Sequence, residues 1–266
     1  MFGVATISAT LCACASAPID RQPVQSESHQ AAGHVQDAPA GTMGMGAEMA
    51  PQQKMGMDPG NEVPHPFLTH MGVPDPVGVY SLRLGATVTR DDGDTDGDAS
   101  FHLETGLTDT IGFHLRNDGV VNEQHTEAMF QFVGWRSEDK MSGFSPIIEF
   151  EFPTHEGGDQ HVNTLVGFST ALANSQVAFN QIIHFDPRND MLEGSASLVW
   201  RLFPKVFPVV EILGEGGRGM SSTFYALGGV KIPVWGNHYL GLGVEAPLTD
   251  QQDFSERVLF SFDSEW

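Results

Sequence analysis

Cysteine is nearly absent from this chain of 266 residues, and the only two, Cys12 and Cys14, lie close to the N-terminus. A disulfide within the remaining sequence is therefore excluded. Basic side chains are also scarce: 13 Lys and Arg stand against 34 Asp and Glu, for a formal charge of -21. A nucleic-acid partner requires a basic surface, so the charge excludes that class of ligand. No apolar run of about 18 residues follows the N-terminus, so no transmembrane helix is predicted.

The first segment, residues 1–17, consists of small and apolar residues and is typical of a secretory signal. Its basic region is missing, because the first cation is Arg21, which favours a true start upstream of Met1. Two processing sites remain open. Residues 15–17 (Ala-Ser-Ala) have the small-x-small form, whereas residues 11–14 (Leu-Cys-Ala-Cys) resemble a lipobox that would place a lipid on Cys14.

The second segment, residues 18–76, has no hydrophobic periodicity and few large aliphatic residues. Too little apolar area can be buried there to offset chain entropy, so we predict a disordered tail. Its distinctive feature is methionine and histidine. Met-Gly-Met occurs twice, at 43–45 and 55–57, and a His-Pro-Phe-Leu-Thr-His-Met cluster spans 65–71.

Thioether sulfur is a soft, uncharged ligand that selects Cu(I) or Ag(I) over zinc or calcium. A glycine between two methionines leaves the backbone free to direct both sulfurs at one ion. Such a site needs no cysteine and suits an oxidising periplasm. We therefore predict a copper or silver site, with Cu(I) as the possible cofactor, formed by Met43, Met45, Met55, Met57, His65, His70 and Met71.

The third segment, residues 77–266, alternates apolar and polar residues between short turns, which predicts β-strands. Tyr80, Leu82 and Leu84, for example, share one face, and Ser81 and Arg83 lie on the other. Twelve strands fit the pattern, and an even number places both ends of a barrel on the same side. The connections after odd strands, including an acidic loop at 91–98, are longer on the whole than those after even strands. Long outer loops and short periplasmic turns are typical of outer-membrane barrels, and the polar face would then line a wet lumen.

The fold prediction is an all-β protein: a twelve-stranded antiparallel transmembrane β-barrel with a disordered N-terminal tail. The chain ends in an alternating strand with a terminal aromatic, Phe254 to Trp266. This stretch resembles the closing strand of bacterial outer-membrane barrels, whose terminal aromatic is part of the signal read by the barrel insertion machinery. An ordinary edge strand of a soluble β domain is the alternative interpretation. The resemblance implies a location in the outer membrane, with lipid as a partner and the tail in the periplasm.

Two further resemblances concern function. The strand–Gly-Leu-Thr-Asp–strand hairpin at 106–109 is similar to that of Gram-negative outer-membrane "transporter" proteins, which include the meta-pathway phenol-degradation group. The Met/His-rich stretch at 29–71 resembles the leader of copper-resistance protein B. The first resemblance implies a channel for small hydrophobic or aromatic solutes, and the second implies the handling of copper.

We expect a non-enzymatic outer-membrane barrel for the passage or handling of soft metal ions, copper or silver, with the channel for hydrophobic solutes as an alternative. Within the lumen, His102, Glu104 and His114 could line a metal path, although interior ion pairs explain them more simply. A third hypothesis is a lipid-modifying enzyme, which requires a nucleophile and a base at the lipid-facing wall. Its candidates are His155, His161 and His184 with Ser169 or Ser175, but no spacing singles out a catalytic pair.

Overall fold

The structure, a computed structural model, describes residues 63–91, 93–120, 125–153, 161–219, 221–250 and 254–266. These residues form thirteen strands. In chain order they are β1 (Tyr80–Asp91), β2 (Asp94–Thr108), β3 (Ile111–Asp118), β4 (His125–Phe132), β5 (Trp135–Arg136), β6 (Gly143–Pro153), β7 (Asn163–Ala173), β8 (Val177–Asp186), β9 (Met191–Trp200), β10 (Phe207–Gly217), β11 (Thr223–Trp235), β12 (His238–Pro247) and β13 (Glu256–Glu265). Among the described residues, no helix is long and apolar enough to cross a membrane.

All strand pairs are antiparallel, and the sheet closes on itself. The first strand pairs with the last, from Ser81 opposite Glu265 to Arg90 opposite Glu256. At the one interruption, β4 skips the two-residue strand β5 and pairs directly with β6. The twelve long strands therefore form a closed barrel, and the predicted fold class is confirmed. Backbone hydrogen bonds of 3.1 Å link Tyr80 and Trp266 in both directions, so both ends of the barrel lie at one rim.

The alternation along each strand separates an apolar outer surface from a polar interior. Arg83 is 5% exposed, whereas its neighbour Leu84 is 45% exposed. In β13, Ser261 and Asp263 are buried, and Phe260 and Trp266 are exposed, as the period of two predicts. Outward-facing apolar side chains occur all round the barrel; they include Leu84, Ile148, Phe168, Leu198, Ile212, Val230, Leu242 and Phe260. So continuous an apolar band is characteristic of a barrel whose outer wall contacts lipid.

The two rims differ less in loop length than the sequence predicts. We call the rim that carries residues 109–110, 133–142, 174–176, 201–206 and 236–237 the turn end, and the opposite rim the loop end. The acidic stretch at 91–98 was predicted to be a loop, but β1 extends to Asp91, which pairs with Asp94, and residues 94–98 belong to β2. Only two residues connect β1 to β2, and Gly93 there has a φ of 96°, which glycine tolerates.

Residues 63–77 precede β1, and we call them the luminal segment, because residues 63–75 lie inside the barrel, whereas Val77 is 48% exposed. Val63, Phe67, Thr69 and His70 are all buried. The segment hydrogen-bonds to side chains of β1, β4, β7, β8, β10 and β11, which surround the lumen on all sides. The prediction of disorder through residue 76 is therefore wrong from residue 63 onward. The prediction of disorder rested on the low apolar content of this segment. The segment is held instead mainly by polar contacts with the barrel wall.

Glycines on the inner wall make room for the segment. Phe67 packs against β11 and β12 where Gly229, Gly241 and Gly243 face inward. A Cβ at Gly229 would lie 2.6 Å from the Phe67 ring, and one at Gly241 would lie 2.7 Å from it. Phe67 also belongs to a buried apolar cluster, which comprises Val63, Phe67, Ala178, Val199, Phe207, Val209, Leu227, Tyr239 and Leu259.

The lipid-facing assignment makes a testable prediction at Leu242, an exposed outward residue near the middle of β12. We expect Leu242→Arg to lower the free energy of unfolding in liposomes by about 2–4 kcal/mol, because a cation at mid-depth is transferred from water into hydrocarbon. Leu248→Arg is the matched control: Leu248 is also exposed but follows β12 at the loop end, where about 0–1 kcal/mol is expected. Equal, small losses for both variants would contradict a lipid-facing β12.

Candidate functional site in the barrel lumen

Glu211 of β10 anchors the luminal segment by its backbone. The carboxylate is completely buried and accepts hydrogen bonds from three successive amides, those of Phe67, Leu68 and Thr69. The N–O distances from Leu68 and Thr69 are 3.0 and 2.7 Å, and the Thr69 hydroxyl donates a further bond of 2.9 Å. Hydrogen bonds to an ionised acceptor are among the stronger ones in proteins. One side chain therefore fixes three residues of the segment.

Two cations hold the carbonyl groups of the same stretch. Lys231 Nζ, which is completely buried, donates to the Pro66 carbonyl at 3.0 Å and to Asp263 Oδ2 at 2.6 Å. It also lies 4.7 Å from the centre of the Phe67 ring, within the range of a cation–π contact. Arg83 Nη1 donates to the Phe67 carbonyl at 2.6 Å. The segment is thus bonded through both its donors and its acceptors.

The C-terminal half of the segment contacts the opposite wall. The Gly72 amide donates to Asn180 Oδ1 at 3.0 Å, and the Gly72 carbonyl accepts from Ser169 Oγ at 3.1 Å. Gln131 Nε2 donates to the Met71 carbonyl at 3.0 Å. At the turn end, Arg136 Nη2 donates to the Pro74 carbonyl at 2.6 Å. These bonds fix the chain as it returns toward β1.

Glu104 of β2 is the centre of a buried cluster that joins the segment to the wall. Glu104 Oε2 lies 3.5 Å from Nδ1 of His65 and 3.5 Å from Nδ1 of His114 in β3. Glu104 Oε1 lies 3.7 Å from Nδ1 of His70 and 3.3 Å from Nη2 of Arg83. His65 and His70 come from the segment, and the other members come from the barrel. Two groups of three possible metal ligands share Glu104: one contains His70 and His114, and the other contains His65 and Asp75.

The two imidazoles of the segment differ in protonation. Burial lowers the pKa of His65, but the Glu104 carboxylate and Asp75 outweigh it, so that the pKa rises to about 9. Burial lowers the pKa of His70 well below its ordinary value; the positive charges of Arg116 and His114 act in the same direction, against Glu104. At neutral pH His65 is therefore an imidazolium that pairs with Glu104, and His70 is a neutral imidazole.

Above the segment, toward the loop end, lies an open cavity of about 200 Å³. Leu68 and His70 of the segment form part of its lining. The wall contributes four carboxylates, Glu127, Glu149, Glu193 and Glu215, against one guanidinium, Arg116. We call this space the acidic cavity. Glu149 pairs with His184 at 3.3 Å, and Arg116 pairs with Asp118 and lies 3.7 Å from Glu127.

The structure brings together some of the residues that the sequence singled out. His65 and His70 both reach Glu104, and His114 joins them, although His102 pairs with Asp118 at 2.8 Å instead. For Met71 the structure shows the backbone contact with Gln131. The other predicted metal ligands, Met43, Met45, Met55 and Met57, lie outside the described residues, so that part of the metal prediction stays a prediction.

Sequence reasoning missed the importance of Glu211 and Lys231. The alternation along β10 places Glu211 on the inner face, but nothing in the sequence indicates that a segment binds there. Lys231 occupies an inward position of β11, two residues from Gly229, and a cation at such a position requires a partner. The signal that could have found it is the alternation itself, since Lys231 shares its face with Leu227 and Gly229.

Among the residues that the structure describes, the enzyme candidates form no catalytic arrangement at the lipid-facing wall. Ser169 is buried on the inner wall, where it accepts a bond of 2.7 Å from Gln131 and donates to Gly72. His184 also faces the lumen and pairs with Glu149. Ser175 lies in the turn between β7 and β8, His161 precedes β7, and His155 lies outside the described residues. Neither Ser169 nor His184 is placed to act on lipid.

No protein-family model matches the chain, and no curated protein matches it. Solved structures do. The COG4313 outer membrane channel from Pseudomonas putida F1 aligns with a TM-score of 0.51 at 8% identity, over 73% of this chain and 98% of that one. This likeness establishes the fold. The NanC porin aligns with a TM-score of 0.48 at 6% identity, over 69% of this chain and 97% of that one. The resemblances to phenol-degradation transporters and to copper-resistance protein B find no support in these comparisons.

Proposed function

We propose that this protein is an outer-membrane channel that favours cations and is closed at its turn end by its own luminal segment. The main support for the proposal is the acidic cavity. Four carboxylates and one guanidinium line it, and a cleft of one charge sign with low-dielectric walls concentrates counter-ions. The barrel fold shared with an outer membrane channel and the apolar outer wall support the location in the membrane.

The polar wall of the lumen favours charged over hydrophobic cargo. Glu127, Glu149 and Glu193 line the cavity, and the burial of apolar surface against polar carboxyl groups gains little. The alternative channel for small aromatic solutes therefore has less support. In our proposal the turn end faces the periplasm. Val63 lies at this end beside Asn237 and Glu265, so a tail that precedes it would extend into the periplasm.

The second part of the proposal is that the protein handles soft metal ions, copper or silver. Its support is the pair of Met-Gly-Met motifs at 43–45 and 55–57. The test is a competitive Cu(I) titration of the full chain in detergent, beside a variant with Met43, Met45, Met55 and Met57 changed to Leu. We expect tight binding that the Leu variant loses. Equal affinities would remove copper and silver from the proposal and leave the cation channel standing.

The channel itself is tested by reversal potentials in planar bilayers under a salt gradient. Because the segment closes the lumen, the measurement uses an open background, the Glu211→Ala variant described below. We expect cation selectivity in this background and a clear loss of it when Glu149→Gln and Glu193→Gln are added. Glu138→Gln, at an exposed turn-end residue, is the control. Anion selectivity, or selectivity that the two added changes leave unaltered, would refute the proposal.

A further inference from the structure

We propose that His70, Glu104 and His114 bind a divalent transition-metal ion of borderline softness, Zn²⁺ or Cu²⁺, which ties the luminal segment to the barrel wall. The site goes beyond the proposed channel and does not depend on ion passage. Its three ligand residues are buried, and the possible ligand atoms all lie within 4.8 Å of one another. One ligand belongs to the segment, and two belong to neighbouring strands.

The spacing matches a metal site better than a hydrogen-bonded cluster. Glu104 Oε1 is 3.7 Å from His70 Nδ1, and Glu104 Oε2 is 3.5 Å from His114 Nδ1. Both distances exceed that of a good N–H···O bond. Two ligands placed about 2.1 Å from one ion at a tetrahedral angle are about 3.4 Å apart. A cation between these atoms would therefore need only small side-chain movements.

Three of the possible ligand atoms also lack hydrogen-bond partners, although Glu104 Oε2 lies 3.5 Å from His65 Nδ1. His70 Nδ1, His114 Nδ1 and Glu104 Oε2 are buried and make no hydrogen bond with any residue that the structure describes. Buried polar atoms are nearly always satisfied, because an unpaired one costs roughly 1–3 kcal/mol. Three such atoms that face one another form an electron-rich space, and a cation would satisfy all three.

A hydrogen bond to Gln131 orients the His114 ring for metal binding. Its Nε2 lies 3.0 Å from Gln131 Oε1, which as a carbonyl oxygen accepts a proton. That bond places one proton on Nε2 and directs Nδ1 at Glu104, so Nδ1 is the atom that binds a metal ion once the ion has displaced any proton there, the arrangement typical of metal-binding histidines. On His70, Arg116 lies a long 3.4 Å from Nε2 and has Asp118 and Glu127 as alternative partners.

The chemistry of the three ligand side chains determines which ion the site prefers. Two imidazoles and one carboxylate suit Zn²⁺ or Cu²⁺, whereas Cu(I) and Ag(I) prefer thioether and thiolate sulfur. This site therefore differs in chemistry from the Met-rich motifs of the tail. His70 belongs to the segment, and Glu104 and His114 belong to the wall. A bound ion therefore stabilises, by mass action, the state in which the segment lies in the lumen.

The test is Zn²⁺ titration of the full chain in detergent by calorimetry, with Co²⁺ absorption as a second readout for imidazole ligation. We expect one equivalent in the wild type and at least a roughly tenfold weaker affinity in both Glu104→Gln and His114→Asn. His238→Asn, a histidine at the turn end outside the cluster, and the four-Met→Leu variant should bind as the wild type does.

Folding of each variant is checked by its heat-dependent mobility in gels, so that His114→Asn suffices if Glu104→Gln does not fold. Zn²⁺ should also raise the unfolding temperature of the wild type and not that of a folded His114→Asn variant. Absence of binding in the wild type, or undiminished binding in a folded His114→Asn variant, would overturn the site. Either result leaves the reversal-potential test of the channel unaffected.

Discussion

Glu211→Ala is expected to open the barrel. The substitution removes the acceptor of three backbone amides and one hydroxyl in the luminal segment. A hydrogen bond to a charged group contributes about 1.5–3 kcal/mol, and these four are not additive. Even a net loss of about 3 kcal/mol raises the ratio of molecules with a displaced segment to molecules with the segment in the lumen by more than roughly 100-fold. Conductance in planar bilayers should rise accordingly from the low level of the wild type.

The barrel itself should tolerate this change. β10 is held to β9 and β11 by backbone pairing that does not involve the carboxylate. Glu215→Ala is the matched control, because Glu215 lies on the same face of β10 but bonds to Thr223, outside the segment. We expect the control to remain closed. A Glu211→Ala channel that conducts no more than the wild type would show that the segment does not close the lumen, or that other contacts suffice to hold it.

Lys231→Met should destabilise the protein by about 3–5 kcal/mol, the usual cost of removing one partner of a buried ion pair. Lys231 is completely buried and bonds to Asp263 at 2.6 Å. Its loss leaves that carboxylate with a single cation, Arg83, at 3.5 Å. The Pro66 carbonyl also loses its donor, and Phe67 loses the cation against its ring. Denaturant unfolding in liposomes, followed by tryptophan fluorescence, measures the effect.

A double variant separates the charge from the packing. With Asp263→Asn added, no uncompensated carboxylate remains, so we expect the double variant to be less destabilised than the sum of the single ones, by about 0.5–3 kcal/mol. Lys205→Met, at an exposed position between β9 and β10, should change stability by no more than about 0.5 kcal/mol. If Lys231→Met behaved like this control, the pair would not contribute to stability.

The strands were predictable because their signal is local. A strand with one face toward lipid and one toward a wet lumen must alternate, and the alternation is visible in any ten residues. The alternation accordingly places Arg83, Glu104, His114 and Glu211 on the inner face, where all four are buried. The acidic stretch at 91–98 was misassigned because its polarity is typical of a loop, yet paired strands that extend beyond a membrane can be polar on both faces.

The candidate site was predictable only in part. Histidine spacing pointed to His65 and His70, and strand pairing placed His114 beside Glu104, since these two residues lie directly opposite each other in β2 and β3. No local sequence pattern connects the histidines of the segment with Glu104 and His114 of the wall, because residue 70 reaches residue 104 only when the segment folds back into the lumen. Glu211 likewise lies 144 residues from Phe67, whose amide it binds.

The sequence by itself determined an acidic chain with twelve alternating strands, an apolar outer face and a charged inner face. The tertiary structure decided what occupies the interior. Residues 63–77 contain too little apolar surface to predict burial, and they are held by side chains of distant strands that bond to their backbone groups. Backbone amides and carbonyls are the same in every residue except proline, so such contacts leave no mark on the bound segment's sequence. Only closure of the barrel places Glu211, Lys231 and Glu104 around one space, and that arrangement underlies both the proposed closure of the lumen and the proposed metal site.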